Sequence, residues 1–184
     1  PLRPNAVEQN GQVIGRFGRK AAVYDLLQQT VNAYNQDIGV VSTFEPIDPY
    51  TLEEQDPEVS NATVHDVVFY LRTLKAPIQR EVDHPDVIAG EAVFQAIGCG
   101  KCHRAELTTG SSPISALANR TIRPYTDLLL HDMGPDLADG RPDFLADGRE
   151  WRTPPLWGLG LVTTVLPGAS LLHDGRARTV EEAI

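Results

Sequence analysis

The stretch AIGCGKCHRAE, residues 96–106, holds the only two cysteines of the 184-residue chain, Cys99 and Cys102. His103 follows the second cysteine directly. Cys-x-x-Cys spacing serves three common purposes in proteins: a redox-active dithiol, a zinc site and, with a histidine in the next position, a covalent haem attachment site. The neighbouring sequence distinguishes among these three uses.

A thioredoxin-like dithiol is the first alternative, and it places the cysteine pair at the start of a helix that follows a strand. Here the pair comes at the end of an apolar stretch, DVIAGEAVFQAI (residues 86–97), which is predicted to be a helix. A structural zinc site is the second alternative, and it usually requires four ligands. No second cysteine pair exists, and His65, His131 and His173 would have to come from separate elements.

The third use fits the sequence best, because Cys99, Cys102 and His103 occur in the order that c-type haem requires. Two thiols about one helical turn apart can form thioether bonds to the porphyrin, and the adjacent histidine lies beneath the iron as its proximal ligand. From spacing alone, Met133 is the natural candidate for the distal ligand, since methionine and histidine together are a common haem ligand pair. His131 and His173 are alternatives for the same position.

Helical periodicity dominates the rest of the chain. It predicts one helix within residues 21–37, a second within residues 63–77 and a short one at YTDLLLHD, residues 125–132. No alternating strand pattern is sustained, so we expect a mainly α, loop-rich, cytochrome c-like fold with few or no strands. Thr179 and Glu182 have capping-box spacing just before the last residue, Ile184, which suggests a chain truncated within a helix.

Composition excludes several classes of function. The formal net charge is −9, which disfavours nucleic acid, because phosphate binding depends on clustered lysine and arginine. The chain contains no run of about 18 apolar residues, so the sequence predicts no membrane span. An oxidising compartment cannot be inferred from two cysteines alone.

Longer motifs resemble a known family. PYTDLLLHDMGPDLADGR (residues 124–141), REWRTPPLWGLGL (149–161) and LLHDGRARTVEEAI (171–184), together with the haem motif, are similar to the C-terminal haem domain of the bacterial di-haem oxidoreductases. These are the thiol-oxidoreductase-like branch of the di-haem cytochrome c peroxidase superfamily. GRFGRKAAV and DVVFYLRTLKAP look like the end of that family's N-terminal domain.

The resemblance implies two domains: residues 1–80 would be the closing helices of an incomplete N-terminal cytochrome c-like domain. Residues 81–184 would be the C-terminal cytochrome c domain, truncated at its end. Members of the family have two haems, so a second is expected in the full-length protein. The family pattern also places the distal ligand of this haem just beyond Ile184. The candidates for the distal ligand are therefore a residue outside this sequence, Met133, His131 and His173.

The expected function is therefore one-electron transfer by haem c within a di-haem, peroxidase-like oxidoreductase, with no catalytic residue in this segment. The alternatives are a mono-haem carrier without catalysis and a haem-free thiol or zinc module. Expected partners are a redox protein or a small oxidant or reductant, and covalent haem implies the bacterial periplasm. Arg152, Arg176 and Arg178 are candidates for haem propionates. Superfamily members often bind calcium, and DMGPDLADGRPD is acidic enough to do so, but it lacks EF-hand spacing, so calcium is left open as a cofactor and is not assigned.

Overall fold

The computed structural model describes residues 13–184, and the chain divides into two compact units, residues 1–74 and 75–184. We call them the first and the second unit. This boundary lies in the irregular connection of residues 74–84, and the sequence-based boundary at residues 80 and 81 lies in the same connection. The assignment of either unit to a cytochrome c-like domain stays a prediction.

The first unit consists of two helices, α1 (Leu26–Ile38) and α2 (Asn61–Thr73), joined by an irregular segment. The side chain of Asp25 accepts a hydrogen bond from the backbone of Gln28 at 2.7 Å, so α1 begins at Leu26, five residues after the start of the predicted stretch. Ser60 caps α2 in the same way through the Thr63 amide. Both N-terminal boundaries are set by capping side chains.

The core of the first unit is the contact between these two helices. Leu27 and Val31 of α1 pack against Val64 and Val68 of α2, and all four are buried. Burying a side chain of this size stabilises a fold by roughly 1.5–3 kcal/mol. The predicted apolar stripes of both helices are therefore the ones that form the core.

The second unit begins with α3 (Pro85–Ala96), which His84 caps through the Asp86 amide. Four short strands follow and form two separate antiparallel pairs. They are β1 (Leu107–Thr108) with β2 (Thr121–Ile122), and β3 (Leu130–Asp132) with β4 (Glu150–Arg152). Two short helices complete the unit, α4 (Leu159–Val165) and α5 (Val180–Ala183), the latter capped by Thr179 as its sequence predicts.

The expected mainly α class is wrong. The described residues are 34% helix and 12% strand, and two small antiparallel sheets make the fold a mixture of α and β. Strands of two or three residues are too short to produce a visible alternation, which needs about four to eight residues. Sequence periodicity could not detect them.

The short helix expected at residues 125–132 is also absent. Tyr125 and Leu128 have φ angles of 54° and 60°, which a right-handed helix does not allow, and β3 begins at Leu130. The Thr126 hydroxyl accepts the Leu128 amide, and the Asp127 carboxylate accepts the Leu129 amide. These local bonds offer the backbone an alternative to the helix.

Candidate functional site

The two cysteines and His103 lie on a single helical turn. Gly98, in the left-handed region at φ 92°, ends α3 and redirects the chain, and a 3-10 turn runs from Cys99 to Lys101. The amide of His103 then donates to the carbonyl of Cys99 at 2.9 Å. Residues three and four positions apart in such a turn share one face. Cys99, Cys102 and His103 can therefore act on one ligand.

The imidazole of His103 is held by a backbone carbonyl. Its Nδ1 lies 2.9 Å from the carbonyl oxygen of Tyr125, and since that oxygen can only accept, Nδ1 carries the proton. The neutral ring then presents an unprotonated Nε2. Metal-binding histidines typically have this arrangement, with the second nitrogen bonded to a carbonyl or carboxylate. His103 is thus prepared to bind a metal through Nε2.

Aromatic contacts fix the same ring from another side. Phe94, on α3, meets the imidazole of His103 edge-on with 6.4 Å between ring centres. Phe94 also meets the ring of Tyr125 at 5.8 Å and an interplanar angle of 90°. Edge-to-face pairs of this kind contribute about 0.5–1.5 kcal/mol beyond their buried area. Helix α3, which precedes the turn, therefore helps to orient the ring of His103.

Residues 125 and 126 attach the helical turn to the β3–β4 pair. The amide of Thr126 donates to the carbonyl of Arg104 at 3.0 Å, directly after the turn. The fully buried hydroxyl of Thr126 donates to the carbonyl of Thr153 at 2.6 Å, directly after β4. Because Tyr125 is next in the chain, these bonds fix the position of the carbonyl that His103 uses.

The β3–β4 pair brings His131 to Cys102. Nδ1 of His131 lies 3.8 Å from Sγ of Cys102, and Nε2 of the same ring lies 2.8 Å from a carboxylate oxygen of Asp127. One ligand atom from each of these three residues lies within 4.8 Å of the others. Within residues 13–184 this is the group of histidine, cysteine and acidic side chains that comes close enough to hold a metal ion.

Asp127 is ionised in this arrangement. Burial raises the pKa of its carboxyl group, but hydrogen bonds from the Leu129 amide, His131 and the Thr153 side chain together hold the pKa below its usual value. Only 8% of the Asp127 side chain is exposed. The ring of His131 therefore faces a fixed negative charge on one side and the Cys102 sulfur on the other.

His173 lies in the same region and is neutral at physiological pH. Burial lowers its pKa, and repulsion from His103 and His131 lowers it further, which outweighs a hydrogen bond to the backbone of Arg152. Its ring centre is 6.4 Å from that of Trp151, whose Nε1 donates to the carbonyl of Leu137. Trp151 is 4% exposed. His173 therefore packs beside a buried indole, within electrostatic range of His103 and His131.

The structure thus brings together the cysteines, His103 and His131, with His173 in electrostatic range. Met133 is half-buried just past β3, where its amide donates to Arg149. Which residue serves as distal ligand stays a prediction. Arg176 is bonded to Asp174 and to the carbonyl of Asp136, and Arg178 to Gly168 and Ser170. Both arginines already have protein partners.

The acidic segment considered for calcium is occupied by local contacts. Asp132 accepts the Gly134 amide and pairs with Arg149 at 3.2 Å, and Asp139 accepts the Arg141 amide. These bonds stabilise turns.

Sequence reasoning missed Tyr125 and Asp127. Tyr125 acts through its carbonyl, which every residue has, so no sequence signal could identify it. Asp127 precedes His131 by four residues, and this spacing was the one visible signal for their pairing.

A family model described as "di-haem oxidoreductase, putative peroxidase" matches residues 2–184 of the chain. Comparison with the curated proteins and with the solved structures gave no match. Among residues 13–184, no helix is long and apolar enough to span a membrane. The matched residues include the helical turn, the α3 residue Phe94 and residues 125 and 126 that contact it, and nearly all of the first unit.

Proposed function

Since the chain belongs to the di-haem oxidoreductase family, whose function is haem-linked redox chemistry, we propose that its second unit holds a covalent haem c. Cys99 and Cys102 form the two thioether bonds, and Nε2 of His103 is the proximal ligand. When bound, the haem supplies a centre that accepts and donates single electrons. In the intact protein, the unit that contains Cys99, Cys102 and His103 would hold this haem so that it could exchange electrons with a second haem, where peroxide or another oxidant would react.

The observation that carries this proposal is the hydrogen bond between His103 and Tyr125. An axial histidine must be neutral, must keep one nitrogen unprotonated and must be held in a fixed rotation. The 2.9 Å contact from Nδ1 to the Tyr125 carbonyl places a proton on Nδ1 and leaves Nε2 as the nitrogen that can bind iron. The ring contact with Phe94 supports the third.

The chemistry of the donor set also supports the proposal. Both cysteines are free and partly exposed, so each can react with a porphyrin vinyl group. They precede His103 by four positions and by one position, on the same turn. A redox dithiol would not need an adjacent imidazole whose Nδ1 is fixed by a carbonyl.

The role of this unit is electron transfer, and the enzymatic step belongs to the intact protein. Its partner is a redox protein or a small oxidant or reductant. Because bacteria attach haem c outside the cytoplasm, we place the protein in the periplasm. A mono-haem carrier is the alternative that the experiment must distinguish.

The test is to express the full-length protein with bacterial haem-attachment machinery and to measure its intact mass and its reduced optical spectrum. Two covalent haems support the proposal, and one haem supports the simple carrier. Cys99→Ala and Cys102→Ala should each remove one thioether bond, whereas His65→Ala, in the first unit, should remove neither. A wild-type protein whose mass includes no haem at Cys99 and Cys102 contradicts the proposal.

A further inference from the structure

We propose that a groove beside the helical turn binds the acidic docking face of the redox protein that exchanges electrons with the second unit. The inference rests on the proposed function and names the chemistry of its partner. The groove has a volume of about 360 Å³. One side of it is formed by residues of α3, and the rest of its lining includes Gly100, Arg104, Glu106, Arg123 and Tyr125.

Positive charge is concentrated around this groove. Residues 99–126 contain four of the 16 lysine and arginine residues of the chain but only one of its 25 aspartate and glutamate residues. That stretch is therefore net positive in a protein whose formal net charge is −9. All four basic side chains are exposed: Lys101, Arg104, Arg120 and Arg123. The charge beside the groove is thus opposite in sign to the charge of the whole chain.

Arg104 and Arg123 are far apart in sequence, and the fold brings both to the groove. Among residues 13–184, the guanidinium of Arg104 has no hydrogen-bond or ion-pair partner. Arg123 donates through Nε to Glu106 at 2.9 Å, in an ion pair whose side chains are both more than half exposed. Such a pair contributes at most about 1 kcal/mol, and it leaves the other N–H donors of Arg123 available. The remaining acidic residue of the lining is Glu91, on α3.

These two arginines select a carboxylate as the group that enters the groove. The planar guanidinium can donate two parallel hydrogen bonds to the two oxygens of an aspartate or glutamate side chain. A cleft lined by one sign of charge also raises the association rate of an oppositely charged partner by about 10–1000-fold. A basic docking face would instead place like charges opposite each other, at a cost of several kcal/mol. The occupant is therefore a protein with an acidic face.

The groove lies next to the residues that hold the haem in the proposed function. Gly100 is bonded to Cys99 in the chain, and the carbonyl of Tyr125 accepts a hydrogen bond from Nδ1 of His103. A partner seated against Gly100 and Tyr125 is thus one bond away from two of the three proposed haem-binding residues. The partner loses one electron, which the iron held at His103 gains. No proton and no further reactant are required.

The test measures electron transfer to the full-length holoprotein by stopped-flow absorbance. A reduced [2Fe–2S] ferredoxin with a strongly acidic surface serves as the probe donor. Between about 10 mM and about 1 M salt, the screening length falls from about 30 Å to about 3 Å. We expect the rate constant of wild type to fall over this range. In Arg104→Glu it should be at least about fivefold lower at low salt and should approach the wild-type value at high salt.

Arg141→Glu is the matched control, because it makes the same change in net charge at an exposed arginine outside the groove. It should lower the rate constant far less than Arg104→Glu does. Arg104→Lys keeps the positive charge and should retain most of the wild-type rate. The midpoint potential of each variant is measured as well, so that a change in driving force is separated from a change in docking. If Arg104→Glu does not accumulate, Arg104→Gln takes its place, with a smaller expected decrease.

An equal loss of rate in Arg104→Glu and Arg141→Glu would show that net charge alone acts, and it would overturn the proposal. A wild-type rate constant that rises with salt would also overturn it, since the negative charge of the whole chain would then govern docking. Binding to vesicles of anionic phospholipid that is lost in Arg104→Glu, with an unchanged ferredoxin rate, would assign the groove to a membrane surface instead. A haem-free wild type would refute the proposed function itself, and the intact mass shows this before any rate is measured.

Discussion

Nδ1 of His103 lies 2.9 Å from the carbonyl oxygen of Tyr125, a residue 22 positions further along the chain. Tyr125 can offer that carbonyl because its φ angle is 54°, in the left-handed region that non-glycine residues seldom adopt. One strained peptide therefore determines which nitrogen of the proposed axial histidine is free.

Replacing Tyr125 by proline tests this relationship. The proline ring fixes φ near −65°, so Tyr125→Pro must move the carbonyl away from His103. Loss of such a partner makes the imidazole a weaker donor and typically costs about 10–100-fold in metal affinity or activity. We expect a higher haem midpoint potential by potentiometric titration. Tyr125→Asn, which tolerates positive φ, should keep a potential near that of wild type. Equal potentials in both variants would contradict this role of the carbonyl.

Thr126 offers a test of the link to β4. Thr126→Val removes the 2.6 Å donor to the Thr153 carbonyl, which keeps a longer bond from Arg152, and it also removes the acceptor of the Leu128 amide. We expect a cost of about 1–3 kcal/mol in the free energy of unfolding. Thr108→Val, the same change at an exposed strand position, should alter it by less than about 0.5 kcal/mol. Urea denaturation of both variants measures the difference. A loss in Thr126→Val no larger than that in Thr108→Val would show that the link is unimportant.

The helix pair of the first unit has its own test. Leu27→Ala leaves a cavity between α1 and α2 and should lower the free energy of unfolding by about 2–5 kcal/mol. Leu52→Ala removes the same atoms from a side chain that is 75% exposed and should have little effect. The two variants are compared by denaturant unfolding followed through helical circular dichroism. Similar midpoints for both would mean that Leu27 is not a core residue.

Acid sensitivity is expected from Asp48. Hydrogen bonds from the amides of Thr51 and Tyr50 hold the pKa of its carboxyl group below the usual value of 3.8. A lowered pKa stabilises the fold above the unfolded-state value, and this stabilisation is lost as the pH falls through the folded-state value. Between pH 6 and pH 2.5, the stability advantage of wild type over Asp48→Ala should therefore shrink. Urea midpoints at each pH measure it, and a constant difference would contradict the assignment.

Residues near each other in sequence were the predictable part of this protein. Helices α1 and α2, the Thr179 cap and the turn of residues 99–103 all depend on patterns within a few positions of sequence. The β3–β4 pair depends on residues about 20 positions apart, and its strands are only three residues long. The candidate site follows the same division: Cys99, Cys102 and His103 lie within five positions of one another, whereas the Tyr125 carbonyl and the contact of His131 with Cys102 depend on residues more than 20 positions away.

The segment between Arg104 and Thr126 is closed by the backbone hydrogen bond between these two residues and by the β1–β2 pair, and its far end, at Ser111, is exposed. Extra residues at that end leave both closing groups in place. Since the entropic cost of loop closure rises by only about 0.6 kcal/mol for each doubling of length, the segment can gain length at little cost. A purification tag or fluorescent label inserted at Ser111 should therefore leave the helical turn unchanged.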